Sequence, residues 1–82
     1  MKKEEVIDSL SSKISEKILR QSGRRIIAEE GLISTGLIDS FSLVDLALLV
    51  EELYGVRIED YELNSETFDT LDQLADIVIS RM

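Results

Sequence analysis

Eighty-two residues are enough for a single domain, 1–82, with a modest core and no room for a second. Seventeen acidic against nine basic residues leave a net charge of −8, which argues against a nucleic-acid surface, and no apolar run approaches the length of a membrane span. Histidine and cysteine are both absent; that removes disulfides, thiolate metal sites and the usual acid–base and nucleophilic side chains, so no enzyme is expected.

Val6, Ile7, Leu10, Ile14 and Ile18 recur at spacings of three and four, which predicts a first helix over 3–20. Glu4 and Glu5 in its first turn and Lys17 and Arg20 in its last suit the helix dipole. Gln21-Ser22-Gly23 should stop it, with Gly23 as a left-handed cap. The opening Met-Lys-Lys-Glu-Glu has no apolar signal region, so the cytoplasm is the expected compartment.

Residues 21–39 have no long period, and a connection of that length needs something to hold it. Ile26, Ile27, Leu32, Ile33, Leu37 and Ile38 can dip into the core and pin the segment over the bundle, with a helical turn near 24–30. Arg24-Arg25 reads as a solvated turn, and Ser34-Thr35 and Ser11-Ser12 as polar linkers with no base beside them.

The second helix should run over 40–54, with Asp39 as its N-cap and Gly55 as its stop. At 100° per residue its apolar side chains fall on two faces. Leu43, Leu46, Ala47, Val50, Leu53 and Tyr54 make the wide inner one; Phe41, Val44 and Leu48 lie opposite, near Ser40 and between Asp45, Glu51 and Glu52. A helix apolar on both sides can be the buried centre of a bundle. The acids interrupting the outer face favour a docking strip instead.

Val56 and Ile58 should pack as the chain leaves this helix, followed by a polar loop over 59–64. A short third helix is expected over 65–68, with Leu63 and Phe68 facing inward. Thr70-Leu71-Asp72-Gln73 has a capping-box pattern and opens the last helix, 70–81, with Leu71, Leu74, Ala75, Val78 and Met82 on one stripe. Asp60, Glu62 and Asn64 alternate like the start of a calcium loop. Ser65 and Leu71 stand where that loop needs glycine and glutamate, so no metal site is expected beyond loose divalent binding by an acidic surface.

The charge is unevenly placed. Residues 1–38 carry seven Lys/Arg against six Asp/Glu, and residues 39–82 carry two against eleven. A basic partner for the second half and plain solubility both account for this.

Gly36-Leu37-Ile38-Asp39-Ser40-Phe41-Ser42-Leu43, with a fitting helix on either side, resembles the attachment site of acyl carrier proteins. The resemblance covers most of the chain and implies an all-α four-helix bundle with a long loop between helices 1 and 2 and a short helix 3. It implies that a phosphopantetheinyl transferase moves 4′-phosphopantetheine from coenzyme A to Ser40, with Asp39 helping that enzyme engage. Such a carrier, expected to stand alone as a monomer, holds its cargo as a thioester on the arm. Its other partners would be an acyl- or aminoacyl-loading ligase and downstream transferases, docking on Phe41, Val44 and Leu48 with Asp45, Glu51 and Glu52 meeting basic residues. Phe41 replaces the leucine usual in the motif, Leu37-Ile38 replace the small pair that often precedes it, and Ser42 stands where fatty-acid carriers usually have an acid. Leu37-Ile38-Asp39-Ser40 and Glu66-Thr67-Phe68-Asp69-Thr70 are nearer to D-alanyl and other aminoacyl carriers. The rival reading is an acidic helical interaction module that uses the same strip and is never modified.

Overall fold

The computed structural model describes residues 2–21 and 23–82, so Ser22 of the expected Gln21-Ser22-Gly23 stop and Met1 of the expected domain lie outside the described residues. Among the described residues three α-helices follow one another: α1 (Lys3–Lys17), α2 (Ser40–Tyr54) and α3 (Leu71–Arg81), with one 3₁₀ turn at Asp60–Glu62 between the last two. No strand is present among the described residues, and none of their helices is long and apolar enough to cross a membrane.

The core is where the three stripes meet. Val6, Leu10 and Ile14 of α1, Leu43, Leu46, Leu49 and Val50 of α2, and Leu71, Leu74, Ala75 and Val78 of α3 are all buried. Leu49 joins the expected inner face of α2, where Ala47, Leu53 and Tyr54 are only partly covered. The α3 stripe ends at Val78, because Met82 lies beyond the last turn and is exposed.

Helix α1 ends three residues early. Its last carbonyls are turned back on themselves: Ile18 and Leu19 both donate to the Ile14 carbonyl, and Gln21 donates to that of Ser15. Arg20, at φ 55°, takes the left-handed place at the helix end that the sequence reserves for Gly23, which is itself at φ 90° but beyond that end. Two serines on the buried side of α1 then hold the next segment. The Ile26 N–H donates to Ser11 Oγ at 2.9 Å, and Ser15 Oγ donates to the Arg24 carbonyl at 2.7 Å. Ser11 is therefore a helix residue fastening a loop rather than a linker.

The segment from 18 to 39 is pinned as the aliphatics predict, with one exception. Ile26, Leu32 and Ile38 are buried and Ile33 and Leu37 pack against the core, but Ile27 is 55% exposed. The Ser11 bond turns Ile26 inward, and no helix forms over 24–30 to bring its neighbour round; a turn at 28–29, closed by the Glu30 N–H on the Ile27 carbonyl, stands there instead. Arg24 and Arg25 pair with Glu30 and Asp8.

The expected short helix at 65–68 is also replaced. The amides of Thr67 and Phe68 both reach the Asn64 carbonyl, while Asn64 Oδ1 accepts from the Thr67 N–H and hydroxyl. An asparagine side chain bonded to its own following backbone ends a turn where a helix would have to continue. The helical turn falls instead at Asp60–Glu62, inside the expected polar loop. There the Glu62 carboxylate accepts the Glu59 N–H at 3.0 Å and grips the guanidinium of Arg81 in a two-point ion pair. Arg81 also donates to the Arg57 carbonyl, which ties the end of α3 to the strand of chain leaving α2.

Candidate functional site

Asp39 and Ser40 stand at the start of α2, and the local chemistry fixes them there. Asp39 has extended backbone, and its Oδ1 accepts from the Ser42 N–H at 2.8 Å, the N-cap bond that satisfies one free amide of the first turn. That amide, with lesser help from the Ser42 hydroxyl and the Phe41 N–H, holds the Asp39 carboxyl below the usual carboxylate range. Ser40 is the first helical residue and is exposed. At the far end, Gly55 closes the helix at φ 68° and donates to the Glu51 carbonyl, a left-handed position that a side chain would strain.

From Ser40 the outer face of α2 runs away as an uncovered apolar strip. Phe41 is 87% exposed, Val44 51% and Leu48 60%, at spacings of three and four along one side. Asp45, Glu51 and Glu52 are exposed beside them. The strip continues into a shallow cavity of about 170 Å³, floored by Val44, Ala47, Leu48 and Ile58 and edged by Glu51, Arg57 and Asp60. Its far wall is the segment whose end Arg81 holds, and Arg57 there pairs with Glu59 at 2.8 Å. Seven of the eight predicted residues, 40, 41, 44, 45, 48, 51 and 52, thus lie on α2, and Asp39 caps it. The structure adds Arg57, Ile58 and Asp60, which sequence periodicity places on no shared face with α2.

The geometry suits a phosphodiester on Ser40. An exposed hydroxyl at a helix start sits in the positive end of the dipole, and α2 carries no acidic residue in its first turn beyond the cap itself. Ser34 does have a partner, since its hydroxyl donates to Asp69 Oδ2 at 2.5 Å, but a carboxylate held below its ordinary range accepts that bond without acting as a base. No cluster of three or more potential metal ligands occurs among the described residues.

The fold is all-helical, and the site is an exposed serine at a capped helix start beside an uncovered apolar strip. Across all 82 of its residues the chain is 28% identical to a curated protein of Coprothermobacter proteolyticus named acyl carrier protein, 96% of which it covers. That likeness spans all of this chain and nearly all of that protein, and it supports a distant relationship to acyl carrier proteins. No family model matches the chain, and no solved structure does.

Proposed function

We propose that the chain carries 4′-phosphopantetheine on Ser40 and presents a thioester-bound cargo to partner enzymes. The observation that supports this most is the exposed Ser40 at the capped start of α2, opening directly onto the uncovered Phe41, Val44 and Leu48 strip. When bound, the arm supplies a thiol that holds an acyl or aminoacyl group. The chain's own residues do the rest. Asp39 caps the helix and stays ionised, so it orients the serine while its charge slightly opposes the phosphate. The strip gives a transferase or ligase apolar contact, and Asp45, Glu51 and Glu52 draw a basic partner in. Ser42 in place of an acid, together with the Glu66–Thr70 tail, supports an aminoacyl rather than a fatty-acyl cargo.

Intact-mass measurement after incubation with coenzyme A and a broad-specificity phosphopantetheinyl transferase tests the reading. One arm is expected on the wild type and on Ser42→Ala, and none on Ser40→Ala. An unchanged mass across several such transferases would leave the acidic interaction module as the function.

A further inference from the structure

A carboxylate distant in sequence from the attachment serine is wired to the loop that delivers it. Asp69 lies just before α3, and its side chain is the hub of the 31–38 segment. Oδ1 accepts the N–H of Ile33 at 2.7 Å and of Ser34 at 2.8 Å, and Oδ2 accepts the Ser34 hydroxyl. The backbone extends the link. The Leu32 N–H donates to the Asp69 carbonyl at 2.6 Å, and the Leu32 carbonyl accepts the Ile38 N–H at 2.9 Å. Ile38 is the residue before Asp39, and both Leu32 and Ile38 are buried. These two backbone bonds join residue 69 to the residue before the α2 cap, and the carboxylate braces the same stretch one residue on, at Ile33 and Ser34.

Around that hub the loop leaves no slack. Thr35 Oγ1 donates to the Gly31 carbonyl at 2.6 Å, and a Cβ on Gly31 would come within 2.9 Å of Ser34 Oγ and 3.2 Å of Asp69 Oδ2. The Ser34 hydroxyl and amide, followed by the Ile33 and Leu32 amides, hold the Asp69 carboxyl below its ordinary range.

We propose that Asp69 is a positioning residue for Ser40: it latches the 31–38 segment to the start of α3 and so fixes the approach that a modifying enzyme meets. The proposal rests on the carrier reading for its consequence, though not for the latch itself. A loop freed from Asp69 populates the presented arrangement for only a fraction of the time. The enzyme's apparent affinity falls by that fraction, while turnover of the bound, correctly arranged chain does not.

The test compares Asp69→Ala, Asp69→Asn and Ser34→Ala with the wild type. Asparagine keeps an oxygen for the two amides and turns only the Ser34 contact round, with its NH₂ donating to the hydroxyl. Amide exchange at Ile33, Ser34 and Ile38 should speed up at least tenfold in Asp69→Ala and less than threefold in Asp69→Asn, with Ser34→Ala between them. With transferase and coenzyme A, KM for the carrier should rise at least fivefold in Asp69→Ala while kcat stays within twofold, and Asp69→Asn should restore most of the loss. Exchange that is unchanged in Asp69→Ala overturns the latch. Faster exchange with unchanged KM overturns its role toward Ser40. If Asp69→Ala does not fold, the ordering of wild type, Asp69→Asn and Ser34→Ala decides the same points. A wild type that no transferase modifies rejects the carrier reading instead, and exchange still judges the latch.

Discussion

On the inner side of α2, Leu43, Leu46, Leu49 and Val50 are no more than 5% exposed, whereas on the outer side Phe41, Val44 and Leu48 keep between 51 and 87% of their surface in solvent. Both sides carry large apolar side chains, although Asp45, Glu51 and Glu52 interrupt the outer one. The inner side is accounted for by folding: it meets α1, α3 and the pinned segment before α2. The outer side is covered only in part. Burying such a side chain fully is worth about 1.5–3 kcal/mol, and on the outer face that free energy remains available to a partner. The two sides differ in what folding covers, and the proposed docking role falls to the side that folding leaves open.

The largest effect should come from the inner side. Leu46 is fully buried, and Leu46→Ala should cost about 2–5 kcal/mol, the transfer term plus the cavity left behind. Denaturant unfolding measures it, and a loss below about 1 kcal/mol would mean that the core closes round the gap. Changing Val44 and Leu48 together to serine should break the comparison the other way. Stability should move by about 0.5 kcal/mol or less per site, since both are surface positions. Loading by a transferase or ligase should fall at least about tenfold, as central apolar contacts dominate such interfaces. Asp45→Lys with Glu52→Lys should mainly slow association, and more at low salt. If the Val44/Leu48 variant loads as the wild type does, the strip is not the docking face.

How much of this was readable beforehand follows the range of the interactions. Asp39, Gly55 and Thr70 announce α2 and α3 because a cap acts within three or four residues: Thr70 Oγ1 accepts the Gln73 N–H as its pattern implies. Even there the reciprocal arm slips by one, with Gln73 Oε1 taking the Asp69 N–H rather than that of Thr70. The end of α1 was not readable, since it depends on Ser15 reaching Arg24 across nine residues. The third helical element is only half local: Glu59 and Glu62 cap it across three residues, whereas the hold of Glu62 on Arg81 spans nineteen. The same holds at the site. Ser40, Asp39 and the strip follow from a local motif and a 3.6-residue period, whereas the wall of Arg57, Ile58 and Asp60 and the Asp69–Ser34 contact, 35 residues apart, exist only once the chain has folded.

The Glu62–Arg81 clamp sharpens the comparison through pH, because it holds the wall that faces the outer strip. Arg81 first, and then the Glu59 N–H, draw the Glu62 carboxyl down to about 2 from an ordinary 4.5. A carboxyl lowered in the folded state adds stability that is complete above its unfolded value and is lost as pH falls through the interval down to the folded one. The melting temperature of the wild type should therefore drop between about pH 4.5 and 2 more steeply than that of Glu62→Gln. The variant will still slope, since Asp39 and Asp69 are lowered too. Parallel curves for the two proteins would show that the clamp adds nothing in solution.

The smallest effect expected belongs to the charge that surrounds the outer face. Eleven acids and two basic residues lie in 39–82, and Asp45, Glu51 and Glu52 are all exposed on one helix. In α1 and the segment after it the signs nearly balance, and Arg24, Arg25 and Lys3 find carboxylates to pair with. Repulsion is thus concentrated in the half of the chain that presents the strip, and it is exposed enough to be screened. At 0.1 M salt the screening length is about 10 Å, comparable to the spacing of these acids along α2. Raising ionic strength from a few millimolar to that level, or adding millimolar divalent cation, should lift the melting temperature by about 2–4 °C, the equivalent of roughly 0.5 kcal/mol in a domain this small. Asp45→Lys with Glu52→Lys should remove most of that salt response while leaving the Leu46 core untouched. If instead the response is equal in wild type and variant, the acids of α2 repel too weakly to matter to the fold, and their charge is left to act on a partner alone.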